Sequence, residues 1–199
     1  DQKYIYYATG SNAEQIDKLP QVGIIKKKNF EMLYLTDAFD EFVFSVIAAY
    51  EGKEFRSVSG DDLGLDDEST NDDSSSDEQN TFFEKLAGLL SDEVVRVKTT
   101  DHLNDEDAVY LSTEGPISVD MEKLYAAMPN GQTVKAQKVL EINKNHPVYE
   151  KLEALYKEEN EDALKDYTNL LYQQARLIAG LPVENPTDFA RSISALMTK

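Results

Sequence analysis

The period of the hydrophobic positions changes several times along the chain, and each change predicts an element. Tyr4-Ile5-Tyr6-Tyr7-Ala8 is β-branched and aromatic and closes at Thr9-Gly10, which predicts a strand. Ser11 stands three residues before Glu14, a capping-box spacing that satisfies two free amides at a helix start. Leu19-Pro20 should interrupt that helix. A short basic helix then ends at Lys26-Lys27-Lys28, cations suited to the negative end of its dipole, with Asn29 placed for a left-handed cap. Phe30 to Leu35 predicts a second strand and Asp40 to Tyr50 a strongly apolar helix. Gly52 releases that helix into a third strand, Phe55 to Val58. Strands alternating with helices over residues 1–60 predict a small parallel or mixed sheet covered by helices.

A second run of elements begins near Asn80. Thr81 and Glu84 have capping-box spacing ahead of Phe83, Leu86 and Leu90. Strands are predicted at Val94 to Val97, Ala108 to Leu111 and Ala136 to Glu141. Between the last two lies a helix, Ser118 to Met128, ended by Pro129-Asn130-Gly131. Ile117, Met121, Leu124, Tyr125 and Met128 share one of its faces. Three helices finish the chain. Pro147 opens the first after Asn145-His146. The second runs from Glu161 to Ala179 and stops at Gly180 and Pro182. The third reopens at Asn185-Pro186 and carries Phe189, Ile193 and Leu196. The long middle helix has one apolar stripe of Leu164, Tyr167, Leu171 and Ile178 and a second that starts with Leu170 and Leu177. A helix apolar on two sides must be covered on two sides, so a second copy of the chain, closing a four-helix bundle, is the economical cover.

Charge changes the picture. The 199 residues carry Lys+Arg 20 against Asp+Glu 38, a net −18. Such a surface repels phosphate backbones and anionic lipid, so neither nucleic acid nor membrane is expected as a partner. From Asp61 to Glu78 stand nine acidic residues and no basic one, which reads as a solvated linker over 61–79. A calcium loop would also want alternating carboxylates, but the EF-hand spacing is missing. No apolar run reaches a membrane span, Phe42 to Tyr50 being the longest candidate, and nothing reads as a signal peptide. With no Cys there are no disulfides, thiolate metal sites or thiol nucleophiles, which agrees with a reducing cytoplasm. A chain that opens on Asp1 is expected to be a piece of a longer protein.

Catalytic chemistry is sparse. His102 and His146 are the only imidazoles, no HExxH pattern is present, and His146 is already explained as a cap before Pro147. Thr9-Gly10-Ser11 lacks either Gly-rich phosphate fingerprint, and the acidic pairs sit where nothing would raise a carboxyl pKa. The stripe from Ile117 to Met128 has two readings. It packs on a neighbouring sheet, as most apolar stripes do, or it is an exposed, adaptable surface, for which flexible Met side chains are suited.

Several blocks, spaced and in order, carry a family resemblance. Tyr6-Tyr7-Ala8-Thr9-Gly10-Ser11, Phe30 to Asp37, Asp40-Glu41-Phe42 and Tyr50 to Val58 resemble the end of the middle domain of the ninety-kilodalton heat-shock chaperones. Leu140-Glu141-Ile142-Asn143-Lys144-Asn145-His146-Pro147 resembles that family's strand-to-helix junction, and Asn185 to Ala190 with Ile193, Leu196 and Met197 its closing dimerisation helix. The ending at Lys199, without an acidic docking peptide, is similar to the bacterial type of the family.

The resemblance implies an α/β (α+β) chain. A small three-layer α/β/α module (1–60) and the linker would precede a mixed α/β dimerisation domain (80–199), whose last helices form an intermolecular four-helix bundle. It also implies a piece of an ATP-dependent chaperone, active in the cytoplasm in the heat-shock response, which pairs as a homodimer and binds unfolded or partly folded client proteins. ATP and magnesium would belong to the parent alone. The piece itself would be no enzyme, holding neither catalytic residues nor cofactor nor metal. By the same match Glu41, Phe42, Ile117, Met121, Leu124, Tyr125 and Met128 would touch clients. Leu164, Tyr167, Leu170, Leu171, Ile178, Phe189, Ile193 and Leu196 would form the dimer interface. The competing readings are an acidic dimeric scaffold that binds no client, and a small α/β enzyme built on the Gly10 turn.

Overall fold

The computed structural model describes residues 2–37, 39–65, 77–129 and 134–198. The architecture is α+β, and the described residues fall into two compact units. One draws on 1–71, 102–104 and 112–138, the other on 72–101, 105–111 and 139–199.

The first unit is built on β1 (Ile5–Thr9), α1 (Ala13–Asp17), α2 (Val22–Lys27), β2 (Met32–Leu35), α3 (Asp40–Ile47), β3 (Ala49–Tyr50) and β4 (Lys53–Ser57). Its sheet runs in the order β2-β1-β4-β3. The first three of these strands are parallel, with Tyr6 opposite Met32 on one side and Arg56 on the other, and β3 pairs antiparallel to β4. The mixed sheet expected from the alternation is therefore present. Its core is Tyr6, Ala8, Ile16, Val22, Ile25 and Val58 with Leu63 and Leu65. Those two leucines open the acidic run, but they are apolar enough to be recovered by the core. Residues 66–76 of that run, like the Asn130-Gly131 stop, lie outside the described residues, and its last two, Asp77 and Glu78, open the helix Asp77–Leu89.

Two local expectations shift. The cap of α1 is Asn12, not Ser11: Asn12 Oδ1 accepts from the Gln15 amide at 2.9 Å, while Gln15 Oε1 accepts from the Ser11 amide at 3.1 Å. Gln15 reaches back to the Ser11 amide rather than to the amide of the cap Asn12, so the two bonds tie the helix start together without closing a capping box on one residue. Helix α3 stops at Ile47 because Ala48 turns to φ 60, and Ala49-Tyr50 enter a hairpin. The turn of that hairpin, Glu51-Gly52, takes φ 49 and 80, the left-handed pair of a type I′ connection. Asn29 (φ 56) caps α2 as its position suggests, with the Phe30 amide donating to the Ile25 carbonyl.

The second unit contains α4 (Asp77–Leu89), a 3-10 turn at Ser91–Glu93, β5 (Arg96–Thr100), most of β7 (Gln137–Asn143) and the start of β6 (Val109–Glu114). The helices α6 (Pro147–Lys157), α7 (Glu161–Ile178) and α8 (Pro186–Met197) complete it; between β6 and β7 the chain forms α5 (Val119–Ala127), which belongs to the first unit. The sheet order is β5-β7-β6, and β5 runs parallel to β7 with Val97 opposite Leu140. Leu140 and Ile142 join Phe82, Leu86, Leu152, Leu155, Leu164, Leu171 and Ala175 in one core. Thr81 lies inside α4, its hydroxyl donating to the Asp77 carbonyl, so the capping box proposed there does not open the helix. His146 caps α6 as expected, Nδ1 accepting from the Val148 amide at 3.2 Å. Asn185 caps α8, its side-chain oxygen accepting from the Asp188 amide.

Candidate functional site

The most informative element is α3, because its amphipathicity is inverted. Phe39, Phe42, Val43, Val46, Ile47 and Tyr50 recur at helical spacing, and all six are between 45% and 70% exposed. The side turned inward carries a carboxylate: Glu41 is only 4% exposed. Beside it Phe44 packs on Tyr7 (ring centroids 5.8 Å) and edge-on to Phe55 (4.6 Å). Six large apolar side chains left exposed in one short stretch are unusual on an otherwise acidic protein.

What holds Glu41 inside is helix α5. Ser118, its N-cap, accepts from the Met121 amide at 3.0 Å and donates its hydroxyl to Glu41 Oε2 at 2.6 Å. Burial pushes the Glu41 carboxyl above its ordinary value, and the Ser118 hydrogen bond works against that rise. The Tyr7 phenol, also buried and beside Glu41, is pushed up to about 12. Two further contacts tie α5 down. Thr9 donates its hydroxyl to Asp120, and Lys138 Nζ grips both Glu122 oxygens, at 2.7 and 3.0 Å. The Ala136 amide adds 2.7 Å to the same carboxylate.

The structure thus brings Glu41 and Phe42 into one unit with the helix that carries Ile117, Met121, Leu124, Tyr125 and Met128. Their accessibility differs. Phe42 and Met128 are exposed, and Ile117, Leu124 and Tyr125 are half-buried, whereas Glu41 and Met121 are buried. Sequence reasoning missed Val46, Ile47 and Tyr50 as surface, although an eight-residue helix apolar nearly all round leaves one stripe without cover. It also missed Thr9, Asp120 and Lys138, for which no local signal exists.

In α7 and α8 the proposed interface residues divide in the same way. Leu164 and Leu171 are taken up by the core of their own unit, and Leu170 is buried, so these three offer a partner nothing while the chain is folded. Tyr167, Ile178, Phe189 and Leu196 are half-buried, while Ile193 and Leu177 are exposed. Helix α8 buries no residue at all, and Met197 is 82% exposed.

The Gly10 turn is closed on its own side chains. A Cβ at Gly10 would meet Ile16 Cγ1 at 2.7 Å, and the Ser11 amide is already taken by Gln15. Among the described residues no group of three or more His, Asp or Glu could hold a metal ion, and no helix is long and apolar enough to cross a membrane.

With this geometry in hand, the matches to known proteins are readily interpreted. The family profile described as Hsp90 protein matches residues 1–199. The chain belongs to the Hsp90 family. Its relatives include the chaperone protein HtpG of Natranaerobius thermophilus, 49% identical over 200 residues, which takes in 100% of the chain and 31% of that protein. HtpG of Alkaliphilus oremlandii is 47% identical over 199 residues (99% and 32%), and HtpG of Bacillus subtilis 43% over 199 residues (99% and 32%). The chain therefore spans about a third of the length of the curated Hsp90-family relatives it matches. The resemblance read from the sequence, to a bacterial heat-shock chaperone, is the correct one.

Proposed function

We infer that this chain is the dimerising, client-holding part of an ATP-driven Hsp90-family chaperone. The observation that carries the client reading is the inverted helix α3, whose apolar stripe faces solvent beside α5. An acidic chain of net −18 that keeps such a stripe exposed is built to hold apolar segments weakly while staying soluble. Unfolded or partly folded proteins supply those segments, and many weak contacts give useful avidity. ATP and magnesium belong in this reading to parts of the parent beyond the matched third, so the chain by itself neither binds nor hydrolyses nucleotide. We assign it to the cytoplasm, in keeping with a sequence that lacks Cys.

The dimer reading rests on Leu177, Ile178, Phe189, Ile193 and Leu196, apolar and at least partly exposed on two consecutive helices. Two such pairs close a four-helix bundle across a two-fold axis. Residues 1–60 are taken as the three-layer module that ends the middle domain, 61–79 as a linker, and 80–199 as the dimerisation domain.

The test is binding of reduced, carboxymethylated lactalbumin, followed by fluorescence anisotropy, with light scattering over a dilution series alongside. The expected results are saturable binding and a mass near twice 22.4 kDa down to about micromolar chain. Phe42→Ser with Val46→Ser should weaken binding at least about fivefold without lowering the melting temperature, since both side chains are exposed. Dimerisation with no binding would favour the acidic scaffold instead. A stable monomer would overturn the bundle.

A further inference from the structure

We propose that the outer edge of β2, with the cleft at its start, docks an extended, acid-bearing peptide by strand addition. The site is separate from the client surface above, since neither α3 nor α5 takes part in it. The open edge follows from the register. In a parallel pair, alternate residues turn both backbone groups toward the neighbouring strand, and the residues between turn theirs away. Leu35 pairs with Thr9 of β1, and its carbonyl accepts from the Gly10 amide at 3.1 Å. Four residues earlier, Glu31 meets the Gln2 side chain through both its carbonyl (2.9 Å) and its amide (2.8 Å). Glu31, Leu33 and Leu35 therefore face β1 and the residues that lead into it, so Met32 and Tyr34 turn their N–H and C=O groups outward. Strand β2 ends the sheet order, and no other described backbone group pairs with those of Met32 and Tyr34. Leu33, 41% exposed, adds an apolar side chain to the same edge. An open edge of this kind is a template for one more strand.

The chemistry of the partner follows from what surrounds the edge. A cleft of about 820 Å³ opens at the start of β2, with apolar walls from Tyr4, Phe30, Met32 and Leu33. Lys28 and Lys53 line it against one carboxylate, Glu31, and all three side chains are exposed. The Lys28 ammonium meets the Leu65 carbonyl at 3.4 Å, and neither lysine pairs with a carboxylate among the described residues. Lys3 adds a further cation, 5.1 Å from the centroid of the Tyr4 ring. On a chain of net −18 this is a local excess of positive charge, which selects an acid-bearing strand over a neutral one. Main-chain bonds to Met32 and Tyr34 would hold such a strand. Its apolar side chains would lie on Leu33 and in the cleft, and its carboxylates on Lys28 and Lys53.

The test uses an eight-residue peptide of alternating valine and aspartate with blocked ends, and the same peptide with serine in place of aspartate. Amide hydrogen exchange reads the edge directly. In the free chain the Met32 and Tyr34 amides should exchange at least about tenfold faster than those of Leu33 and Leu35, and saturating aspartate peptide should protect them. Equal rates in the free chain mean a covered edge and overturn the proposal, as does binding that protects neither amide. By fluorescence anisotropy the aspartate peptide should bind at least about fivefold tighter than the serine peptide, although the whole chain repels it. Equal affinities overturn the charge assignment and the proposal with it. Met32→Pro removes an outward N–H without breaking the bonds to β1, and should weaken binding at least about fivefold. Unchanged binding by a folded Met32→Pro chain overturns strand addition. Should that variant not fold, Lys28→Glu with Lys53→Glu decides, since both side chains are exposed. It should abolish the preference for aspartate over serine, and a preference that survives overturns the site. Phe42→Ser with Val46→Ser should leave peptide binding unchanged, and its loss there would move the peptide off this edge and overturn the proposal. A chain that holds carboxymethylated lactalbumin but not the aspartate peptide overturns this proposal alone.

Discussion

The Ser118 hydroxyl and the Glu41 carboxylate, 77 positions apart in sequence, share a buried hydrogen bond of 2.6 Å, while the same hydroxyl caps α5 through the Met121 amide. One oxygen therefore starts a helix and satisfies a buried acid. Ser118→Ala removes both interactions and should destabilise the first unit by about 1–3 kcal/mol in urea denaturation. Ser118→Asp is the sharper variant. It restores a cap but sets a second carboxylate against Glu41, so it should be worse than alanine, although aspartate alone is as good a cap as serine.

Glu41 gives stability a pH dependence of a definite sign. Burial raises its folded-state pKa above the unfolded value of about 4.3. As pH rises through the interval between the two values, the unfolded chain releases this proton first, so the Glu41 contribution falls with rising pH. Burial is the main cause of that rise; Asp120 adds to it, while Ser118, Lys123 and Tyr7 work against it. Glu41→Gln cannot ionise. The difference in unfolding free energy between this variant and the unmodified chain should move in favour of glutamine from pH 4 to pH 7, and a flat difference would show that the carboxyl titrates as if exposed.

Neighbouring apolar residues of α7 and α8 should respond in opposite ways. Leu171 is buried in the core of the second unit, so Leu171→Ala should cost about 2–5 kcal/mol of stability. Ile193 stands on the exposed side of α8, and Ile193→Asp should change the stability of the single chain by about 0.5 kcal/mol or less. It should nevertheless shift the scattering mass from dimer to monomer. A variant that unfolds at Ile193, or one that stays dimeric, would remove α8 from the interface.

Two glycines separate conformational from steric cost. At Gly52 an added Cβ meets nothing within 4 Å, but φ is 80, so Gly52→Ala should cost about 1 kcal/mol through backbone strain alone. At Gly10 the added Cβ runs into Ile16, itself fully buried. Gly10→Ala should cost more than Gly52→Ala, and removing the obstructing Cγ1 with Ile16→Ala should recover part of that added cost, measured as a double-mutant cycle.

Most of the elements were legible in the sequence because their causes are local. Asn29 takes the left-handed cap, His146 and Asn185 cap the helices they precede, and Gly180 turns at φ 69 just past α7. What escaped is non-local. Nothing near Ser118 announces Glu41, and nothing near Asp120 announces Thr9, 111 positions away. The stripe of α3 misleads in the other direction. Its periodicity is real, but periodicity says only that a face is apolar, not which side of the helix meets water, and here the acid went in. The division of α7 shows the same limit: Leu171 and Leu177 share an apolar helix, and only the fold reveals that one is core and the other surface.

Arg176 fixes the corner between α7 and α8 from within a single chain. Its guanidinium lies 2.6 Å from Glu184 and 2.9 Å from the Pro182 carbonyl, sits within 3.8 Å of Glu93, and covers the Tyr172 ring. The take-off angle of α8 is therefore set before any partner arrives, and two copies of the chain can meet as finished shapes. In the proposed dimer, encounter rather than rearrangement should then limit the rate of pairing. Because each copy carries −18, the rate of pairing should rise with ionic strength as the mutual repulsion is screened, while the rate of separation, governed by apolar contacts, stays nearly constant.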